Sequence, residues 1–119
     1  LPEGTPTIDP ASVKMIQQGD QSTVTLVVSH PLQEKSVAKE AVAVLVFDTE
    51  KGWVSQVVTN VAYNQNQNRV AMRMKSPLPT DKPVRLIVRG TGDQPILGKN
   101  FVPLGNGQDF VFMKQPSTE

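Results

Sequence analysis

The 119-residue sequence holds no cysteine, one histidine (His30), one tryptophan (Trp53) and one tyrosine (Tyr63). The missing cysteines exclude a disulfide framework, thiolate catalysis and cysteine-ligated zinc, and leave the redox compartment open. A single imidazole cannot by itself supply the several nitrogen or sulfur ligands of a zinc site. A triad would also need a carboxylate to orient it and a nucleophile beside it, so His30, just before Pro31, is read as a loop residue. Charge imbalance is also lacking: 12 Lys and Arg against 11 Asp and Glu give a net charge of +1, which provides no strong field for nucleic acid or an anionic membrane. No apolar run approaches the about 18 residues that span a bilayer, and "LPEGTPTIDP" has neither the basic nor the apolar part of a signal segment.

What is present is alternation of period two and many β-branched residues. In "VRLIVR" Val84, Leu86 and Val88 point one way and Arg85, Ile87 and Arg89 the other, the pattern of a strand with one buried face. "RVAMRMK" alternates similarly, and "SPLPTDKP" between the two reads as a connection, so these strands are expected to pair antiparallel. "VTLVV" (24–28) is a further strand. "AVAVLVF" (41–47) is apolar on both faces and so expected at the centre of its sheet, with "DTEKG" (48–52) as the turn after it. The alternation from Trp53 to Tyr63 suits one long or bent strand, ending in a hairpin tip at "NQNQN" (64–68). "DFVFMK" (109–114) is the last strand, and an early strand is expected near 12–17. Only 33–41 has helix formers, enough for a short crossover. About seven short strands with Gly and Pro at the joints predict an all-β, antiparallel sandwich spanning 7–115, with linkers at 1–6 and 116–119. Its expected core is Val24, Leu26, Ala43, Leu45, Val70, Met72, Leu86, Val88, Phe110 and Phe112.

The segment that most resembles chemistry is "GTGDQPILGKN" (90–100). As a dinucleotide fingerprint it fails at its third position, where Pro95 obstructs the helix that the last glycine should open. As a P-loop it fails because Gly98 lies six positions after Gly92, not five, and because Asn100 follows Lys99 where a hydroxyl is required. A structural turn remains, and no cofactor is expected. Asp48 with Glu50, and Asp93 with Asp109, could meet at loop ends and take calcium, but no EF-hand spacing is present and turn-forming Asp is the default reading.

Two binding surfaces are candidates. If the strands at 70–75 and 84–89 pair, Arg69, Arg73, Lys75, Arg85 and Arg89 share one face that could hold a polyanion. No aromatic residue interleaves with them, however, and cations on exposed strands also block aggregation. Trp53 and Tyr63, at the same parity of one alternation, could form a sugar-stacking platform, although a lone tryptophan in a small sandwich is commonly core.

The order of segments resembles a bacterial immunoglobulin-like domain of the type found in S-layer, adhesin and other exported surface proteins. The resemblance runs through "TVTLVVSHPL" and "VAVLVFDTEKGWV" to "SPLPTDKPVRLIVRGTGDQPILG" and the closing "DFVF", over about residues 5 to 115. It implies a seven-stranded, usually non-catalytic sandwich acting as spacer, stalk or adhesion unit, and it supplies no binding residues. The expectation is therefore a non-enzymatic module of a larger exported bacterial protein, extracellular, cell-surface or periplasmic, with neighbouring domains of the same polypeptide as its partners. The alternative is a recognition module for carbohydrate, polyanion or protein, the last through an open strand edge or the Asn64–Asn68 tip.

Overall fold

The computed structural model describes residues 2–116. Within it are eight strands: β1 (Lys14–Gln18), β2 (Gln21–Val27), β3 (Val42–Asp48), β4 (Gly52–Gln56), β5 (Val58–Asn64), β6 (Arg69–Met74), β7 (Val84–Val88) and β8 (Phe110–Lys114). They form two four-stranded antiparallel sheets, in the order β1-β2-β6-β5 and β4-β3-β7-β8. The helical content is four three-residue 3-10 turns, two of them, Glu34–Ser36 and Lys39–Ala41, within the expected crossover.

The core lies between the sheets. Val24 and Leu26 of β2 and Val70, Met72 and Met74 of β6 face Val42, Val44 and Val46 of β3 and Val84, Leu86 and Val88 of β7, all buried. Each such side chain contributes about 1.5–3 kcal/mol on leaving water. Loop residues close the ends: Ile8, Leu32, Ile96 and Leu104 at one, Leu78 at the other. The expected core is thus corrected on β3. Its inward face is Val42, Val44 and Val46, while Ala43 and Leu45 point outward and are half-buried. A strand apolar at every position offers no polar marker of which face turns in. Phe110 and Phe112 are only partly buried, packed against the core from the edge strand β8.

Two connections differ from the sequence expectation. β6 and β7 do not pair; they belong to opposite sheets, and the Ser76–Pro83 segment crosses from one to the other. Leu78, buried on that crossing, donates its N–H to the buried Ser22 Oγ at 2.9 Å. A tight hairpin turn would have needed fewer residues and no buried leucine in its middle. The Trp53–Tyr63 alternation is likewise broken. At Val57 the chain leaves β4 in one sheet and enters β5 in the other, so the strand count is eight rather than about seven. Alternation survives a sheet switch at a single residue, which is why periodicity alone could not reveal it.

The hairpin tip at 64–68 is present between β5 and β6, with Asn68 at φ 49°. β3 is central in its sheet, and β8 is the last strand. At the start of the chain, where a linker to residue 6 was expected, Thr5 and Pro6 are already buried, and the Gly105 N–H donates to the Pro6 carbonyl. Residues 117–119 of the expected tail lie outside the described residues.

Candidate interaction surfaces

The aromatic pair is not brought together. Trp53 is on β4 and Tyr63 on β5, in different sheets. Tyr63 is half-buried against the core; its hydroxyl accepts the Leu32 N–H at 3.1 Å and donates to Asn68 Oδ1 at 2.9 Å. Trp53 lies on the outer face of the β4-β3-β7-β8 sheet. Phe47, its cross-strand neighbour, meets it edge-on at 5.4 Å, and the Arg85 guanidinium lies 4.1 Å above its ring. That stacking is a cation–π contact, and it covers the face a sugar would occupy.

The cations divide in the same way. Arg69 and Arg73 point outward from β6, with Lys75 just beyond it, on one sheet; Arg85 and Arg89 belong to the other. The single stripe required β6 and β7 to pair, and they do not.

The acidic loop ends are engaged by neighbouring donors, Asp48 within its own turn and Asp109 across to the loop at 90–91. Asp48 Oδ1 accepts the N–H groups of Glu50 and Lys51 at 2.8 and 3.0 Å, and these bonds, with Lys82 and Lys51 nearby, hold its carboxyl below the ordinary value of 3.8. Asp109 Oδ1 accepts from the Gly90 N–H (2.9 Å), the Thr91 N–H (3.2 Å) and the Thr91 hydroxyl (2.8 Å). Partial desolvation opposes its ionisation, but the Thr91 and Gly90 hydrogen bonds and the charge of Arg89 outweigh it and leave its pKa lowered. Among the described residues no group of three or more His, Cys, Asp or Glu side chains is placed to hold a metal ion. His30 Nδ1 is 2.7 Å from Ser29 Oγ.

The 90–100 segment is a structural loop tied down by Asp109. Gly92 has φ 89°, whereas Gly90 is required for a different reason: an added Cβ would collide with the carbonyls of Leu104 and Gln108. The segment then turns back on itself, Leu97 bridging Pro103. At its tip Phe101 is 75% exposed with φ 68°, a left-handed conformation uncommon for an aromatic residue. Asn100 beside it donates through Nδ2 to the Gly4 carbonyl at 3.0 Å, so the tip is fastened to the beginning of the chain.

The outer faces of the two sheets differ in character. One carries Thr23, Thr25, Asn60, Asn64, Arg69 and Arg73, with the smaller apolar Val27, Ala62 and Ala71 among them. The other carries Ala43, Leu45 and Phe47 of β3, Trp53 of β4, Ile87 of β7 and Val111 and Met113 of β8, with Arg85 among them. Sequence reasoning missed this apolar face. The all-apolar run "AVAVLVF" suits a central strand, and that reading carries no sign of a second apolar surface on its outer side.

No protein-family model matches the sequence, and no curated relative does. The fold is similar to a crystal structure of the N-terminal part of the bacterial S-layer protein SbsC, with TM-score 0.67, 11% identity and coverage of 93% of this chain and 24% of that one. It is also similar to a structure of surface layer protein SbsC, domains 1-6, with TM-score 0.67, 13% identity and coverage of 93% of this chain and 14% of that one. The chain thus spans a quarter or less of the proteins it resembles in fold.

Proposed function

We propose that this domain is a non-catalytic structural module of a bacterial surface protein, joined in series to neighbouring domains of the same polypeptide and working as a spacer. The observation that carries this reading is the placement of the first and last paired residues, Ile8 and Lys114, at opposite ends of the sandwich. Ile8 bridges Val28, just past the far end of β2, whereas Lys114 pairs with Val84 at the start of β7 and shares a small surface cavity with Ser22, at the near end of β2. The chain therefore comes in at one end of a body 42 × 27 × 23 Å across and leaves at the other, as a series of modules requires. Phe101, exposed at the Ile8 end beside Asn100, which is bonded to Gly4, lies where a preceding module would pack. The strand order supports the immunoglobulin-like reading, since it is the order in which an immunoglobulin sandwich sets its A, B, E and D strands against C, F and G, with one further strand beside C. The likeness to S-layer domains supports a cell-surface setting.

The test is small-angle X-ray scattering of two copies joined through their own ends. Serial stacking predicts a longest dimension of roughly twice 42 Å. A particle no longer than about one and a half modules, with the copies folded side by side, contradicts it.

A further inference from the structure

The two lateral sides of the sandwich are unlike. On one side the chain itself laces the sheets together, passing from β4 through Val57 into β5. On the other side β1 ends one sheet and β8 ends the other, and among the described residues no strand pairing joins them. Between these two edges lies an open cleft of about 710 Å³ that reaches past Met15 and Phe112 to the core residue Leu86. Three of the large apolar side chains that remain exposed, Ile16, Val111 and Met113, line this same cleft. An apolar edge strand with unpaired backbone groups is an aggregation hazard unless something covers it.

Among the described residues the charges on the cleft are of one sign: Lys14 and Lys114 line it, and no carboxylate does. The strand registers put them far apart. Lys14 pairs with Thr25 towards the Ile8 end, and Lys114 pairs with Val84 at the opposite end. The distance between them is about the length of one strand of five or six residues.

We propose that this cleft is a docking groove for an extended peptide segment of a partner protein, added as a further strand along the free edge of β8. Its side chains alternate: those facing in fill the space against Met15, Leu86 and Phe112, and those facing out extend the apolar surface of Val111 and Met113. Carboxylates at its two ends meet Lys14 and Lys114. Main-chain hydrogen bonds to β8 supply the affinity, and the apolar alternation with acidic ends supplies the selectivity. This groove runs along the flank of the sandwich and does not depend on the serial, end-to-end reading of the module.

The test uses two synthetic peptides with the same alternating valine and threonine centre, one ending in glutamates and the other in lysines. Binding is followed by fluorescence anisotropy, and hydrogen exchange of the β8 amides is measured with and without peptide. The expected result is slowed exchange in β8 with the glutamate-ended peptide and about tenfold weaker binding of the lysine-ended one. The Lys14→Glu, Lys114→Glu double variant should reverse that preference. Both lysines are exposed, and an unchanged melting curve would verify that the variant folds. No slowing of β8 exchange at millimolar peptide, equal binding of the two peptides, or an unreversed preference in the folded double variant overturns the proposal. So does sedimentation of the protein alone as a dimer with β8 already protected, which would identify a second copy as the occupant.

Discussion

Removing the hydroxyl of Tyr63 while keeping its ring separates a structural role from a stacking one. The hydroxyl is the acceptor for the backbone N–H of Leu32, a residue with 0% exposure, and the donor to Asn68 Oδ1 at the hairpin tip. In Tyr63→Phe the Leu32 N–H loses its partner where water has little access, and leaving a buried donor unmade costs about 1–3 kcal/mol. With about 2.1 cal/mol/K of unfolding entropy per residue, a loss of 2 kcal/mol lowers the melting temperature of a chain this size by about 8 °C. Circular dichroism melts at neutral pH measure the shift. Pairing the variant with Asn68→Ala in a double-mutant cycle should return a coupling of about 0.5–1 kcal/mol, because both residues meet at one hydroxyl. A melting temperature lowered by less than about 2 °C refutes the reasoning and frees Tyr63 for another role.

The inward parity of β3 predicts that Val44→Ala costs about 2 kcal/mol in urea denaturation and Leu45→Ala under about 1 kcal/mol; the opposite ranking would restore the face expected from the sequence. Gly90→Ala should destabilise by about 3 kcal/mol or more, since its Cβ meets two carbonyls. Gly92→Ala, with open space and only a positive φ to contend with, should cost about 1–2 kcal/mol, and equal melting points for the two would contradict the loop geometry. Asp109 has a folded pKa below its ordinary value of 3.8, so it contributes stability that is present above that value and lost as pH falls through the folded pKa. Asp109→Asn should therefore flatten the decline of melting temperature below about pH 4, and an unaltered acid limb would show that the Gly90 and Thr91 bonds add nothing to the ionised form.

Much of the sandwich was legible because its strands carry their faces in their residues. In "VTLVV", "RVAMRM" and "VRLIV" a Thr or Arg marks the outward parity, and the inward residues proved to be Val24, Leu26, Val70, Met72, Leu86 and Val88 as expected. Where alternation gave no polar marker, as in β3, the face could not be read. Pairing was less legible than strand position. The spacing between β6 and β7 is longer than a tight hairpin needs but does not by itself tell a long hairpin loop from a crossing, and the burial of Leu78 against Ser22 decides it. Both binding surfaces weighed in the sequence depended on strand partnership, the arginine stripe on β6 beside β7 and the aromatic platform on an unbroken Trp53–Tyr63 strand. They dissolved when Val57 and the Ser76–Pro83 segment turned out to switch sheets. The apolar outer face and the β1/β8 cleft could not be seen in the sequence, because an exposed apolar strand and a buried one are written with the same residues.

The central claim, that the module transmits length and load from one end to the other, is tested most directly by pulling the domain between handles at its two ends in an optical trap. Tension loads β1 against β2 and β8 against β7 along their lengths, so the ladders must yield together. The account predicts one cooperative unfolding event. Its contour gain should be at least about 340 Å, the reach of the chain from Ile8 to Lys114 at about 3.6 Å per residue less a folded separation taken at the body's longest extent, 42 Å. Gradual extension at low force, or several partial steps in place of one, would contradict it.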